Sequence, residues 1–284
     1  MTKEEKTTAA LFLDLTDDYL DGGYRKHREP YECTGDPPTG TSGAFFSESG
    51  EKTPGAPESA ATADTAPENA VPAEDEDSLE KVAEDIGHCT RCGLCKTRTN
   101  TVPGEGVPRP LVMVIGEGPG ADEDATGRPF VGRAGQLLDR MLDSRGKIGL
   151  SRTRNCYIAN VVKCRPPGNR NPQPDEIIAC VPFLARQITI LKPTVILALG
   201  NTAAKTLLDN TEGITRLRGL FTVFSGPLFM SGKTEIPLLP TFHPSALLRD
   251  QSLKTPVWED LKTLRAKLCE LNRRYAAEMA NIPL

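Results

Sequence analysis

Four apolar runs of five or six residues recur after residue 110: Leu111 to Ile115, Tyr157 to Val162, Thr194 to Leu199 and Ile236 to Thr241. Each is too short for a core helix and continuous enough for a strand buried on both faces. The stretches around them carry apolar residues at helical spacing. Leu79 to Ile86, Ala134 to Arg145 (stopped by Gly146), Pro174 to Leu191, 201–208 and Val257 to Ala280 are the predicted helices. The third of these opens with proline in its first turn and with Asp175 and Glu176 at the positive end of its dipole. Arg216 to Met230, with Gly226-Pro227 inside it, reads as a β-hairpin. Strands alternating with helices predict an α/β fold, a three-layer α/β/α arrangement around a central four-stranded parallel sheet. Ligands of such sheets sit beyond the carboxyl ends of the strands. Glu117, Asn160 and His243 each fall at such an end.

The periodic pattern fails before residue 79. Residues 34–77 are dominated by Thr, Gly, Pro, Ala, Ser and Glu, and cannot bury enough apolar surface to offset their ordering entropy. Residues 1–78 therefore read as a disordered acidic tail, and 79–284 as the folded domain. Within the tail, 8–20 (TAALFLDLTDDYL) suits a short amphipathic helix, a docking peptide for a protein partner or a functionless extension. Charge follows the same division. Residues 1–80 hold 6 Lys and Arg against 19 Asp and Glu, a net of −13, whereas 81–284 carry a net of +9. The overall −4 hides a basic domain, which nominates a polyanionic partner. No run approaches the length needed to span a bilayer, and no secretory signal precedes the eight cysteines. A reducing cytoplasm is the expected setting, where clustered cysteines bind metal more often than they pair.

The densest chemistry lies in Leu111 to Gly135, LVMVIGEGPGADEDATGRPFVGRAG. Gly116, Gly118 and Gly120 let the backbone turn sharply and bring N–H groups close to a ligand. Glu117, Asp122, Glu123 and Asp124 crowd the same turn, and no GK[ST] follows, so a phosphate cradle is a poor reading. Carboxylates there suggest chemistry on a neutral or cationic group; a plain turn with solvated acids is the alternative. Among the cysteines, Cys89 and Cys92 form a CxxC, and Cys164 and Cys180 flank a stiff loop, Arg165 to Gln173, containing three prolines. Four such thiolates could hold zinc or an iron–sulfur cluster, and the spacing leaves the two level.

Four motifs together carry a resemblance: GEGPGADED (116–124), TGRPFVGRAGQLL (126–138), YIANVVKCRPPGNRNP (157–172) and HPSALLR (243–249). In their order and rough spacing, residues 79–280 resemble the family 4 uracil-DNA glycosylases, the iron–sulfur branch of that superfamily. The resemblance implies the uracil-DNA glycosylase fold and a structural 4Fe–4S cluster on Cys89, Cys92, Cys164 and Cys180. It implies hydrolysis of the bond between uracil and deoxyribose in single- or double-stranded DNA, opening base-excision repair by a monofunctional enzyme. A cytoplasmic, nucleoid-associated monomer with no membrane attachment goes with that reading.

Roles follow from the resemblance and from what the reaction demands: a base taken out of its stack, donors facing the departing uracil, and a water for the sugar. His243 is expected to hydrogen-bond uracil O2, Phe130 to stack on the base, and Asn160 to read its O4 and N3 edge. Gly118 is expected to offer backbone N–H groups. Glu117 is favoured for holding the water, and Glu123 for lining the pocket near uracil C5, with the two carboxylates open to exchange. Asn169 is expected to support the pocket or touch DNA. Arg128, Arg165, Arg170 and Arg249 are candidates for phosphate contacts, and Leu247, with Leu248 beside it, for a wedge into the emptied stack.

Overall fold

The computed structural model describes residues 77–143, 146–224 and 235–283. The tail to residue 76, with its amphipathic segment and Cys33, and the turn expected at Gly226-Pro227 lie outside these residues. The strands are β1 (Glu105–Gly106), β2 (Val112–Gly116), β3 (Cys156–Asn160), β4 (Val195–Leu199), β5 (Thr222–Phe224) and β6 (Ile236–Thr241). Among the described residues they form one sheet in the order β1-β3-β2-β4-β6-β5. The inner four, β3, β2, β4 and β6, run parallel as expected. β1 and β5 extend the sheet by antiparallel pairing at its two edges. The register aligns Gly116 with Asn160, Ile115 with Ala198 and Leu199 with Thr241. Glu117, Gly200 and Phe242 therefore leave the sheet along one rim.

Because side chains alternate across a strand, each inner strand feeds two cores. Met113, Ile115, Tyr157, Ala159, Ile196 and Ala198 face one side. There they pack against α1 (Leu79–Gly87), α4 (Pro174–Leu191) and α5 (Gly200–Leu208). Val112, Val114, Ile158, Val195 and Leu197 face the other. Helices α3 (Arg133–Asp143), α7 (Pro244–Arg249), α8 (Lys254–Leu271) and α9 (Arg273–Met279) cover that side. Two-sided burial is why these strands read as unbroken apolar runs.

The remaining helices are short: α2 (Ala121–Thr126) and α6 (Ile214–Leu217). The expected hairpin begins as α6 instead. Asn201 Oδ1 accepts the Ile214 N–H at 2.7 Å, and Ile214 and Leu217, three apart, are both buried, so local capping and packing favour a turn of helix. The closing helix, expected to be continuous, divides at Asn272, whose side chain caps α9 by accepting the Tyr275 N–H at 2.9 Å. A buried polar knot ties α8 to the rim. Asp260 accepts from Thr241 Oγ1 at 2.6 Å and from Arg218 Nε at 3.0 Å, immediately before Phe242 and His243.

Candidate active site

A cleft of about 770 Å³ opens over the carboxyl rim of the sheet. It gathers Glu117, Gly118, Glu123, Phe130, Asn160, Asn169 and His243, residues spread over more than 120 positions of sequence.

Its floor is set by a single glycine. A Cβ on Gly116 would lie 2.5 Å from both Asn160 Oδ1 and the Phe130 ring, so these side chains converge above the end of β2. Phe130 holds a left-handed backbone, φ 53°, and Arg152 fastens its carbonyl by a 2.9 Å hydrogen bond. Gly135 allows α3 to press against that same backbone, where a side chain would collide. The Phe130 and His243 rings lie 5.5 Å apart and tilted by 34°, forming one corner of the cleft.

Asn160 is 1% exposed, and its Oδ1 is a buried acceptor with no hydrogen-bond partner among the described residues. A buried acceptor left unmatched is costly, so the position is built for a donor on a bound molecule. The strand end that carries it is anchored from behind. Lys163 is fully buried and donates from Nζ to the Asn160 carbonyl at 2.8 Å and to Gln187 Oε1 at 2.7 Å. Burial lowers this amine to about 8.

His243 stands at the N-cap of α7. Its Nδ1 accepts the Ser245 backbone N–H at 3.2 Å and lies 2.8 Å from the Ser245 hydroxyl. Accepting a backbone N–H requires a bare Nδ1, so the ring proton sits on Nε2 as a donor. Burial pushes the imidazole down to about 4, helped by the cationic Arg249 and opposed by Glu123. The group is a neutral donor near pH 7.

The two glutamates differ. Glu123 is committed to backbone: one oxygen accepts Gly120 N–H at 3.0 Å, the other accepts Val131 and Gly132 N–H, each at 2.9 Å. It binds the acid-rich loop to the Phe130 segment. Among the described residues, Glu117 receives one hydrogen bond, from the Thr202 hydroxyl on α5. Of the two, Glu117 keeps the freer carboxylate.

The rim departs from expectation in several places. Arg128 is exposed and bound in a fork to Glu105, with both contacts at 2.8 Å, and does not line the cleft. Arg165 also lies outside the lining and donates to Asn169 Oδ1 at 2.7 Å, so it shapes the loop. Arg170 lines the cleft but forks onto Glu176 at the start of α4, at 2.8 and 2.6 Å. Arg249 lines the cleft and is exposed. Leu247 cannot be a wedge: it is 2% exposed and packs in the core, whereas Leu248 is 46% exposed and lines the cleft. A helix puts neighbours on different faces, and α7 turns Leu247 inward. Sequence reasoning passed over Arg133 at the start of α3, Ser245, Lys163 and Thr202. Of these, Ser245 alone had a signal, lying two residues after a histidine where a cap hydrogen bond forms.

Cys89, Cys92, Cys164 and Cys180 line a second, much smaller cavity, with Cys95, behind the 163–180 loop. Burial raises Cys92 to about 11 and Cys180 to about 12. Two donors already face these sulfurs: the Lys163 backbone N–H to Cys180 Sγ and Arg98 Nη1 to Cys164 Sγ, both at 3.2 Å. Among the described residues, no three His, Cys, Asp or Glu side chains are placed to hold a single metal ion.

The family model of the Uracil DNA glycosylase superfamily matches residues 103–262, more than half the chain. A type-4 uracil-DNA glycosylase of Sulfurisphaera tokodaii is 43% identical over 206 residues, covering 71% of this chain and 90% of its own. The type-4 enzyme of Thermotoga maritima is 45% identical over 194 residues, covering 67% and 95%. A type-5 uracil-DNA glycosylase of Pyrobaculum aerophilum is 32% identical over 120 residues, covering 38% of this chain and 52% of its own. Profile, identity and coverage agree with the architecture of the cleft: the chain belongs to the uracil-DNA glycosylase superfamily, as a relative of its type-4 members.

Proposed function

We propose that the protein removes uracil from DNA by hydrolysing the bond between the base and deoxyribose, leaving an abasic site for excision repair. The observation that carries this reading is the buried, unmatched acceptor of Asn160. Uracil presents a donor at N3 between two carbonyls. Cytosine presents an acceptor at N3, which would face Asn160 Oδ1 lone pair to lone pair. Across the cleft, the Nε2–H of neutral His243 suits uracil O2, and the Phe130 ring suits the base face.

The chemistry divides among these groups. The base swings out of its stack into the cleft. As the C1′–N1 bond breaks, its electron pair leaves with uracil, and charge grows on N1 and O2. A donor already oriented at O2 strengthens as that charge grows, which favours the transition state over the ground state. A water held by Glu117 adds to the cationic sugar carbon and passes its proton to the carboxylate. Arg249 and Arg133, both exposed at the rim, suit backbone phosphates.

The thiols of Cys89, Cys92, Cys164 and Cys180 suit a 4Fe–4S cluster by their chemistry. The donor set is four thiols with N–H groups already aimed at two of them. When bound, the cluster supplies cross-linking of α1 to the 163–180 loop; the reacting groups lie elsewhere. The protein is read as a monomer acting on single- or double-stranded DNA. Among the described residues no helix is long and apolar enough to cross a membrane.

The test is release of free uracil from a uracil-containing oligonucleotide beside matched cytosine and thymine strands. Uracil alone should be released. His243→Ala and Glu117→Gln should keep the melting transition and slow release at least a hundredfold. Release of cytosine at the uracil rate, or full activity in both variants, rejects the assignment.

A further inference from the structure

We propose that Thr202 is a positioning residue for the hydrolytic step, fixing the Glu117 carboxylate so that one oxygen is presented to the attacking water; this rests on the glycosylase reading above. The sheet brings the two together. β2 and β4 are neighbours in parallel register, and each ends on the same rim, so Glu117 and the first turn of α5 emerge side by side. Gly200 makes the turn into α5 in a left-handed conformation, φ 85°, where a Cβ would lie 3.1 Å from the His243 Cβ. The histidine, the glutamate and this helix start are thus packed against one another.

Thr202 donates its hydroxyl to Glu117 Oε2. It sits in the first turn of α5, and its side chain contributes nothing to the cleft lining, unlike Glu117 and the adjacent Asn201. It therefore reaches substrate only through the carboxylate. With one oxygen engaged from behind, rotation of the carboxylate is arrested, and the other oxygen keeps its lone pairs for water. Water must capture the cationic carbon before uracil returns to it, so a misplacement of an ångström slows net uracil release. Glu123 cannot substitute, because both its oxygens are held by backbone N–H groups. Among the described residues, the other ionisable side chains lining the cleft, Asp122, Arg133, Arg170, Arg249 and His243, make no hydrogen bond to Glu117.

The experiment is a double-mutant cycle on the full chain, reading uracil release under single turnover, substrate affinity and melting temperature. Thr202→Val removes the hydroxyl and keeps the branched shape. It should slow the chemical step about tenfold, the order of one hydrogen bond to a charged group, while affinity for uracil-containing DNA stays within about twofold. Thr202→Ser should restore the rate. In a Glu117→Gln background, Thr202→Val should cause little further loss, because the group it acts through is already altered. An unchanged rate in Thr202→Val, a Ser variant as slow as the Val variant, or losses that multiply in the double variant would each overturn the proposal. A wild-type chain that releases no uracil sinks the glycosylase reading itself. Full activity in Glu117→Gln sinks the role of Thr202 while leaving that reading standing.

Discussion

At the residue level, the same two atoms of His243 decide both its protonation and its use. Nδ1 is consumed by the Ser245 N–H, so the proton must sit on Nε2, and burial takes the ring down to about 4. The consequence for stability has a definite sign. The unfolded chain takes up a proton near the ordinary pKa of about 6.5, while the folded chain resists until near 4. Stability contributed by this group is therefore complete above pH 6.5 and falls as pH drops toward 4, where it levels off. The catalytic donor, by contrast, stays neutral through most of that window and gains its proton only near pH 4. Single-turnover uracil release should accordingly show no step from His243 between pH 5.5 and 8, measured with denaturation midpoints across the same range. A rate that changes tenfold about pH 6.5 in the wild type and not in His243→Asn would contradict the neutral donor.

At the level of elements, α7 is the clearest case of a short helix giving adjacent residues opposite jobs. Leu247→Ala should destabilise the fold by about 2–4 kcal/mol, the usual result of emptying a core site, with activity per folded molecule retained. Leu248→Ala should leave the melt unchanged and slow release from duplex DNA about tenfold, with single-stranded substrate unaffected, because only the duplex has a stack to hold open. Strand-resolved kinetics and thermal melts separate the two. Pattern reading located the inner strands because burial on both faces leaves an unbroken apolar run. It missed β1, whose two residues Glu105 and Gly106 carry no periodicity, and α2 and α7, which sit among glycine and proline and look irregular. Glu117, Asn160 and His243 were legible as residue types at strand ends, and Phe130 only through the motif that carries the family resemblance. Which carboxylate is free was not, because the commitment of Glu123 depends on N–H groups up to nine residues away that are turned toward it only by the fold. Thr202 was invisible for the same reason, lying 85 positions from its partner.

For the molecule as a whole, the thiol cavity is a second junction, beside the apolar core, between the first helix and the loop after β3. Cys89 and Cys92 follow α1 directly, while Cys164 and Cys180 belong to the loop after β3 and to α4. Cys89→Ala should bleach the brown colour expected of an iron–sulfur protein and lower the melting temperature by on the order of 10 °C, read by visible absorbance and calorimetry together. A colourless wild-type protein with the same melting point as the variant would remove the cluster from the account. A last consequence belongs to Glu123. Its carboxylate clasps residues 120, 131 and 132 at once, so the aromatic plate and the acidic lip travel as a single jaw. Such a jaw cannot widen by easing one side. Accommodating a bulkier nucleobase would require trimming side chains that jut into the opening, since shifting either lip alone breaks the two hydrogen bonds from Val131 and Gly132.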